Sequence, residues 1–117
     1  MNNMVQISGG NSVQKEIAFK VISKMIDELM PRMKTLDISV KIKKFKGDAE
    51  GFCMMADSNR QFEIDVSRDL PLMDFVTVLC HEMVHVKQFA RNELPLEKEA
   101  YGRESKLSQI VWDANIL

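Results

Sequence analysis

The sequence predicts an α+β fold in which three helices accompany a three-stranded antiparallel sheet. In three stretches the apolar residues recur every three or four positions, as on the buried face of a helix. Three shorter stretches, rich in apolar residues and bounded by turn residues, are typical of strands. The chain has 117 residues, close to the commonest domain size, so we expect residues 1–117 to form one domain.

The composition is that of an ordinary globular protein, with 45% hydrophobic residues, 28% charged residues and a net charge of -1. This balance gives no general attraction to nucleic acid or to an anionic membrane surface. No apolar run approaches the ~20 residues that cross a bilayer, and we see no signal-peptide pattern. With two cysteines, the chain is expected to be cytoplasmic, with reduced thiols and no membrane partner.

The first helix is predicted to run from Ser12 to Met30. Ser12 is a suitable N-cap, apolar residues then recur every four positions, and Pro31 ends the helix. Residues 1–11 carry no such pattern and are expected to form a loosely ordered lead-in. We expect this helix to support the sheet from behind.

Three strands are predicted after Leu36. In the first strand, β-branched residues alternate with polar ones (Ile38, Val40 and Ile42). Further strands are predicted at residues 51–56 and 61–66, with turns at 47–48 and 57–60, and the short connections favour an antiparallel meander. Four lysines form a basic cluster, which we interpret as a solvated face and not as a nucleic-acid site (Lys41, Lys43, Lys44 and Lys46).

The second helix is predicted to begin near Pro71, with Asp69 or Ser67 as its cap. Its apolar pattern continues to about residues 89–91. After a short break, a third helix is expected to begin near Leu96. The second helix carries the motif from which the function is predicted.

That motif is His81-Glu82-Met83-Val84-His85, the H-E-x-x-H arrangement of zinc-dependent peptidases. Helical residues four apart lie on one face, so the imidazoles of His81 and His85 can bind one metal ion. Glu82 lies beside them, where its carboxylate can take a proton from a water bound to that metal. A metal-free core helix would show the same apolar pattern, but the two histidines, the only ones in the chain, favour zinc.

A catalytic zinc ion usually takes three protein ligands, so a third ligand is needed. The candidates are Glu97, Glu99 and Glu104. If the second helix ends near Arg91, the chain from there to Glu97 is long enough to return to the metal. A later reversal of the chain would instead place Glu104 opposite Met83. We expect Glu97 to be the ligand, and the other two carboxylates stay open as alternatives.

The histidine motif followed by a glutamate-bearing helix resembles the gluzincin branch of zincin-like metallopeptidases. The segment 95–104 is similar to that of small SprT-like or phage-type metallopeptidases. Gluzincins often place the ligand glutamate three residues before an alanine, as Glu97 and Ala100 stand here, although the link from the histidine motif is shorter than in that family. The resemblance implies a minimal zincin-like fold in which an edge strand, 51–56, pairs with an extended substrate.

We therefore expect zinc-dependent peptide hydrolysis, with Zn²⁺ held by His81, His85 and Glu97 and with Glu82 as general base. The partner would be a peptide or an unfolded protein, cleaved internally. The alternative is a zinc-stabilised binding or regulatory module with little or no activity, against which the presence of Glu82 argues. A DNA-associated protease, which the SprT-like resemblance suggests, gains no support from the net charge of -1.

Three further residues have open roles. Tyr101 follows Glu97 by four residues and is either a donor to the site or a packing residue. Cys80 points about 100° away from the metal face of the helix and is expected to be a buried apolar residue. Cys53 would approach the site only if its strand does.

Overall fold

The computed structural model describes residues 2–117, which form a four-stranded sheet and three helices. The elements in chain order are β1 (Met4–Gly9), α1 (Ser12–Leu29), β2 (Asp37–Lys43), β3 (Gly51–Met55), β4 (Gln61–Ser67), α2 (Leu72–Ala90) and α3 (Glu97–Asp113). Helices α1 and α2 pack against the sheet, and α3 packs against α2. The α+β class predicted from the sequence is confirmed. Within residues 2–117, no helix is both long enough and apolar enough to span a membrane.

The sheet is mixed, with the strand order β1-β2-β4-β3. Strand β2 lies parallel to β1 and β4, with Val40 opposite both Ile7 and Ile64, whereas β3 runs antiparallel to β4. The predicted three-stranded antiparallel meander is therefore wrong, although β3 and β4 do form the expected hairpin. The alternation of polar and apolar residues identifies the buried face of a strand, but it does not identify which strand lies beside it in the sheet. The apolar faces of β2 and β4 are fully buried and take the centre, and β3 takes the edge with exposed Phe52 and Met54.

Residues 4–9 form strand β1, contrary to the prediction of a loose lead-in over residues 1–11, of which residue 1 lies outside the described part of the chain. Strand β1 buries part of Val5 and Ile7 beside β2 while the residues between and beyond them face solvent. Gly9 has a φ of +75°, and a Cβ added there would lie 2.1 Å from the carbonyl oxygen of Ile42. The close passage from β1 into α1 therefore requires glycine at this position.

The helix N-termini differ from the predicted caps. The N-cap of α1 is Asn11, not Ser12: the Asn11 side chain accepts from the backbone of Gln14, and the Gln14 side chain accepts from the backbone of Asn11. Asn11 is the stronger choice because this reciprocal pair satisfies two helix-end donors. Helix α2 starts after Pro71 without a side-chain cap, so neither Asp69 nor Ser67 has the predicted role.

Helix α2 lies between the sheet and α3, and 13 of its 19 residues are buried. Its apolar residues join the inward faces of β2 and β4 in one core. This position also buries five polar or charged side chains, which must find partners inside the protein (His81, Glu82, His85, Lys87 and Gln88). Four of them find partners on α3, in the loop before it and on α2 itself, whereas the Glu82 carboxylate accepts no hydrogen bond. These contacts define the candidate site.

Candidate metal centre

Two histidines of α2 and the first residue of α3 converge in one place. His81 and His85 share a face of α2, and their ring centroids are 5.1 Å apart. Oε1 of Glu97 lies 3.4 Å from Nε2 of His81 and is in closer contact with Nε2 of His85. The ligand atoms that these three side chains offer all lie within 4.8 Å of one another. The structure thus brings together the three residues predicted to bind the metal.

Hydrogen bonds determine which nitrogen of each imidazole is free. Nδ1 of His81 lies 2.7 Å from Oε2 of Glu104, and Nδ1 of His85 lies 2.8 Å from Oε1 of Gln88. Both partner atoms are acceptors, so we assign the ring proton to Nδ1 in each histidine. Nε2 of both rings then carries a lone pair, and both lone pairs face Glu97.

Glu97 therefore presents a carboxylate oxygen to two nitrogen lone pairs, an arrangement that is repulsive unless a cation or a proton lies between them. Two imidazoles and one carboxylate are the ligands of a common type of catalytic zinc site. The 3.4 Å between His81 and Glu97 is close to the ~3.3 Å that separates two ligands of a tetrahedral ion with bonds of about 2.0 Å. The donor set suits a divalent cation, which His81, His85 and Glu97 would hold once the closer contact between Glu97 and His85 opens.

Gln88 connects the histidine motif to the start of α3. Its side chain is completely buried, and Nε2 donates to the carbonyl of Leu96 at 3.0 Å and to Glu99 at 2.9 Å. Because Nε2 has two acceptors, the orientation of the amide is fixed, and Oε1 must face His85. Leu96 is the N-cap residue of α3. One amide therefore orients His85 and also binds the backbone next to Glu97.

Glu99 supports this connection from α3. In addition to Gln88, Lys87 donates to Glu99 at 2.6 Å and Arg103 donates at 2.9 Å. Burial on its own would raise the pKa of Glu99, but the three donors outweigh it and lower the pKa to about 2. Glu99 is thus a charged partner of Lys87 and Arg103, directed away from the imidazole nitrogens that face Glu97.

Glu82 lines a cleft, and the residue as a whole is only 6% exposed. Burial is the main cause that raises its pKa; His85 lowers the pKa, Glu97 and Glu104 raise it again, and the result is about 7. No hydrogen bond from residues 2–117 stabilises its charged form. A carboxylate with a pKa near neutrality can both accept and release a proton.

Gly51, the first residue of β3, lies directly over Glu82. A Cβ at this position would come within 2.5 Å of Cγ1 of Val78 and within 2.9 Å of Oε2 of Glu82. The backbone of β3 can approach α2 this closely only without a side chain. No sequence pattern connects this glycine with the site, because the contact is between distant parts of the chain.

On the expectation of peptidase activity, Gly51→Ala should lower kcat/KM about tenfold. It should also destabilise the protein by about 1–3 kcal/mol, since the added methyl group displaces Glu82 and overpacks Val78. Urea unfolding and peptide hydrolysis measure the two effects. The matched control is Gly102→Ala, where the added methyl group meets nothing within 4 Å and helix α3 gains about 0.5–1 kcal/mol. Equal activity of the two variants would show that the Gly51–Glu82 contact is unimportant.

The cleft above the candidate metal centre has a volume of about 710 Å³. One wall is the start of β3 and the residues before it, and the other is formed by α2 and the first turns of α3. His81, Glu82, His85 and Glu97 all line this space. A substrate in the cleft would therefore meet the candidate metal ligands and the candidate base together.

The remaining candidates take supporting positions. Glu104 contacts Nδ1 of His81 and not the nitrogen that faces Glu97. The Tyr101 ring packs edge-on against His81 at 4.6 Å between centroids and is largely exposed to the cleft. Burial raises the pKa of both thiols: Cys80 is fully buried with a pKa of about 12, and Cys53 lines the cleft as a neutral thiol.

Gln88 was missed from the sequence, although its position three residues after His85 places the two on one helix face. We expect Gln88→Leu to weaken zinc binding 10–100-fold, because His85 loses the acceptor that orients it. Both Gln88→Leu and Gln88→Glu should lower the free energy of unfolding by about 1–3 kcal/mol, since the carbonyl of Leu96 loses its donor. Gln88→Glu keeps an acceptor for His85 and should retain most of the zinc affinity. Zinc competition titrations and urea unfolding separate the two effects, and equal zinc affinities would contradict the orienting role.

No protein-family model, curated protein or solved structure gives a significant match to the chain. We therefore infer the function from the geometry and the chemistry of the residues themselves.

Proposed function

We propose that the protein is a zinc-dependent peptidase that hydrolyses peptides or unfolded proteins at internal bonds. The observation that carries this proposal is the convergence of His81, His85 and Glu97 on one point, with the buried Glu82 lining the cleft beside them. A metal that only stabilises the fold would not require a carboxylate without hydrogen bonds next to it.

The bound zinc ion would supply Lewis-acid polarisation of the peptide carbonyl and a lowered pKa of the attacking water. Glu82 accepts a proton from that water as the new C–O bond forms. The same carboxyl group then gives the proton to the amine nitrogen as the C–N bond breaks, so Glu82 ends the cycle ionised. Gln88 and Glu104 hold the imidazoles in the orientation that keeps both Nε2 atoms available.

The substrate would bind as an extended strand along β3. In the sheet formed by residues 2–117, β3 pairs with β4 on one side, and its other edge carries no strand. The start of β3 lines the cleft, so a peptide added at this edge would pass over Glu82. Such pairing, together with the glutamate from α3, would make the domain a minimal zincin-like fold of the gluzincin type.

Zinc titration of the purified chain tests the proposal. We expect one zinc ion per chain and a rise in the free energy of unfolding of about 2.7 kcal/mol when free zinc is one hundred times the Kd. An unfolded protein substrate should be cleaved with zinc and left intact with a chelator, and mass spectrometry of the fragments should locate internal cleavage sites. Zinc binding without cleavage of any peptide in a random library would instead indicate a zinc-stabilised binding module. Failure to bind zinc would refute both functions.

A further inference from the structure

The walls of the cleft carry charge of one sign. Six carboxylates line it and no lysine or arginine does (Asp48, Glu50, Asp74, Glu82, Glu97 and Glu104). The whole chain is nearly balanced, with 17 acidic and 16 basic residues, so the cleft departs from the average. A divalent cation at the metal centre would offset two of the negative charges and would leave the cleft acidic.

Three of these carboxylates lie outside the metal centre and lack a cationic partner. Asp48, Glu50 and Asp74 are exposed, and within residues 2–117 none lies within 4 Å of a lysine or arginine nitrogen. Some other acidic residues of the protein are paired, as Glu99 is with Lys87, whereas others, such as Asp57 and Glu63, also lack a cationic partner but do not line the cleft. The cleft thus differs from the rest of the surface in combining unpaired carboxylates with a lining that has no lysine or arginine.

This acidic part has a defined position relative to the metal centre. Asp74 precedes His81 by two helical turns, about 10 Å along α2. Gly51 contacts α2 at Val78, between these two residues, and brings the adjoining Glu50 to the same end of the cleft. An extended peptide spans 10 Å with about three residues.

The opposite end of the cleft is apolar. Phe89 lies one helical turn beyond His85, and Pro95 lies just before α3; both line the cleft. The two ends therefore differ in chemistry, with carboxylates on one side of the metal centre and an aromatic ring and a proline on the other. Between them, Glu82 is more than nine-tenths buried as a residue and lines the cleft, and its carboxylate has no hydrogen bond from residues 2–117, so the acidic end adjoins a group available to a ligand.

We infer that the substrate is a cationic polypeptide, with lysine or arginine two or three residues from the scissile bond on one side and an apolar residue on the other. This inference rests on the proposed function, whose active centre defines the scissile bond. The preference arises from Coulomb attraction in a concave site, which strengthens for each carboxylate that the cationic side chain approaches.

A neighbouring depression provides the main competing expectation. It shares Gly51 and Phe52 with the cleft but is lined by Lys43, Lys44 and Lys46. If these lysines governed recognition, an acidic peptide would bind better than a basic one. Matched peptides of both charges decide between the two surfaces.

The experiment uses peptides that are identical except for lysine, glutamine or glutamate at one position, scanned three residues to each side of a known cleavage site or a central apolar residue. Binding is measured with zinc-loaded Glu82→Gln protein, and cleavage is measured with the wild type. We expect the lysine peptide to bind at least tenfold more tightly than the glutamate peptide at low salt, with the ratio falling as salt rises. The double substitution Glu50→Gln with Asp74→Asn should reduce this ratio several-fold and raise KM for the lysine peptide. The control Asp57→Asn changes an exposed carboxylate in the β3–β4 turn, outside the cleft. It should change neither the ratio of lysine-peptide to glutamate-peptide affinity nor the KM for the lysine peptide.

Equal binding of the three peptides, or tighter binding of the glutamate peptide, would overturn the inferred substrate class. Tighter binding of the lysine peptide without cleavage by the wild type would overturn the peptidase function and leave the preference for a cationic polypeptide standing. If the double substitution left the ratio of lysine-peptide to glutamate-peptide affinity unchanged, Glu50 and Asp74 would not be the source of the preference.

Discussion

Glu82→Gln is expected to reduce kcat at least 100-fold and up to about 10⁴-fold while zinc binding persists. The amide has nearly the shape of the carboxyl group but cannot accept the proton of the attacking water, and proton transfer of this kind contributes rate factors of 10²–10⁴. Glu82 itself is not among the three residues whose ligand atoms converge. Steady-state hydrolysis and zinc stoichiometry, measured on the same preparation, provide the test.

The control for this substitution is Glu63→Gln, which changes an exposed glutamate of β4 away from the cleft. It should leave both hydrolysis and zinc content at wild-type values. Wild-type hydrolysis by the Glu82→Gln protein would exclude Glu82 as the general base. Loss of zinc from that variant would show that the carboxylate contributes to metal binding, and its catalytic role would then need another explanation.

Glu97→Gln is expected to weaken zinc binding by more than the 10–100-fold that typically follows loss of a group hydrogen-bonded to a ligand. The neutral amide removes the negative charge that both imidazoles face, and it is a poorer ligand for zinc. Hydrolysis at limiting zinc should fall in proportion. Competition with a chromophoric chelator measures the affinity.

Substitutions at the other two candidate glutamates establish the ranking. Glu104→Leu should weaken zinc binding 10–100-fold, since it removes the acceptor of the Nδ1 proton of His81. Glu99→Gln should act mainly on stability, because it breaks the contacts to Lys87 and Arg103. A larger loss of zinc affinity in either variant than in Glu97→Gln would show that the third ligand has been misassigned.

The helical part of the site was predictable because its information is local. The spacing of His81 and His85 fixes their common face, and the apolar residues around them indicate a buried helix. The length of the chain between Arg91 and Glu97 favoured Glu97 as the third candidate ligand. In the structure, Glu97 lies beside both histidines. Glu82 needed no long-range information, because its position follows from that of its neighbours in the motif.

The sheet order was not predictable in this way. Alternation of polar and apolar residues shows which face of β2 is buried, but it contains no information about whether β3 or β4 lies beside it. The Val5 and Ile7 alternation in β1 was present in the sequence but short, and the prediction of a loose lead-in ignored it. Gln88 and Gly51 act through residues on other elements, so their roles follow only from tertiary contacts.

Helix α3 starts with the residue that would complete the metal site, so the metal would add a further link between two elements already joined by packing and by the contacts of Glu99. Zinc would then act as a removable cross-link between the interior of the protein and its C-terminal helix. The free energy of docking α3 on α2 would vary with the concentration of free zinc around the protein. Under metal starvation, residues 97–113 would be the first region to exchange amide protons and to become accessible to other proteases.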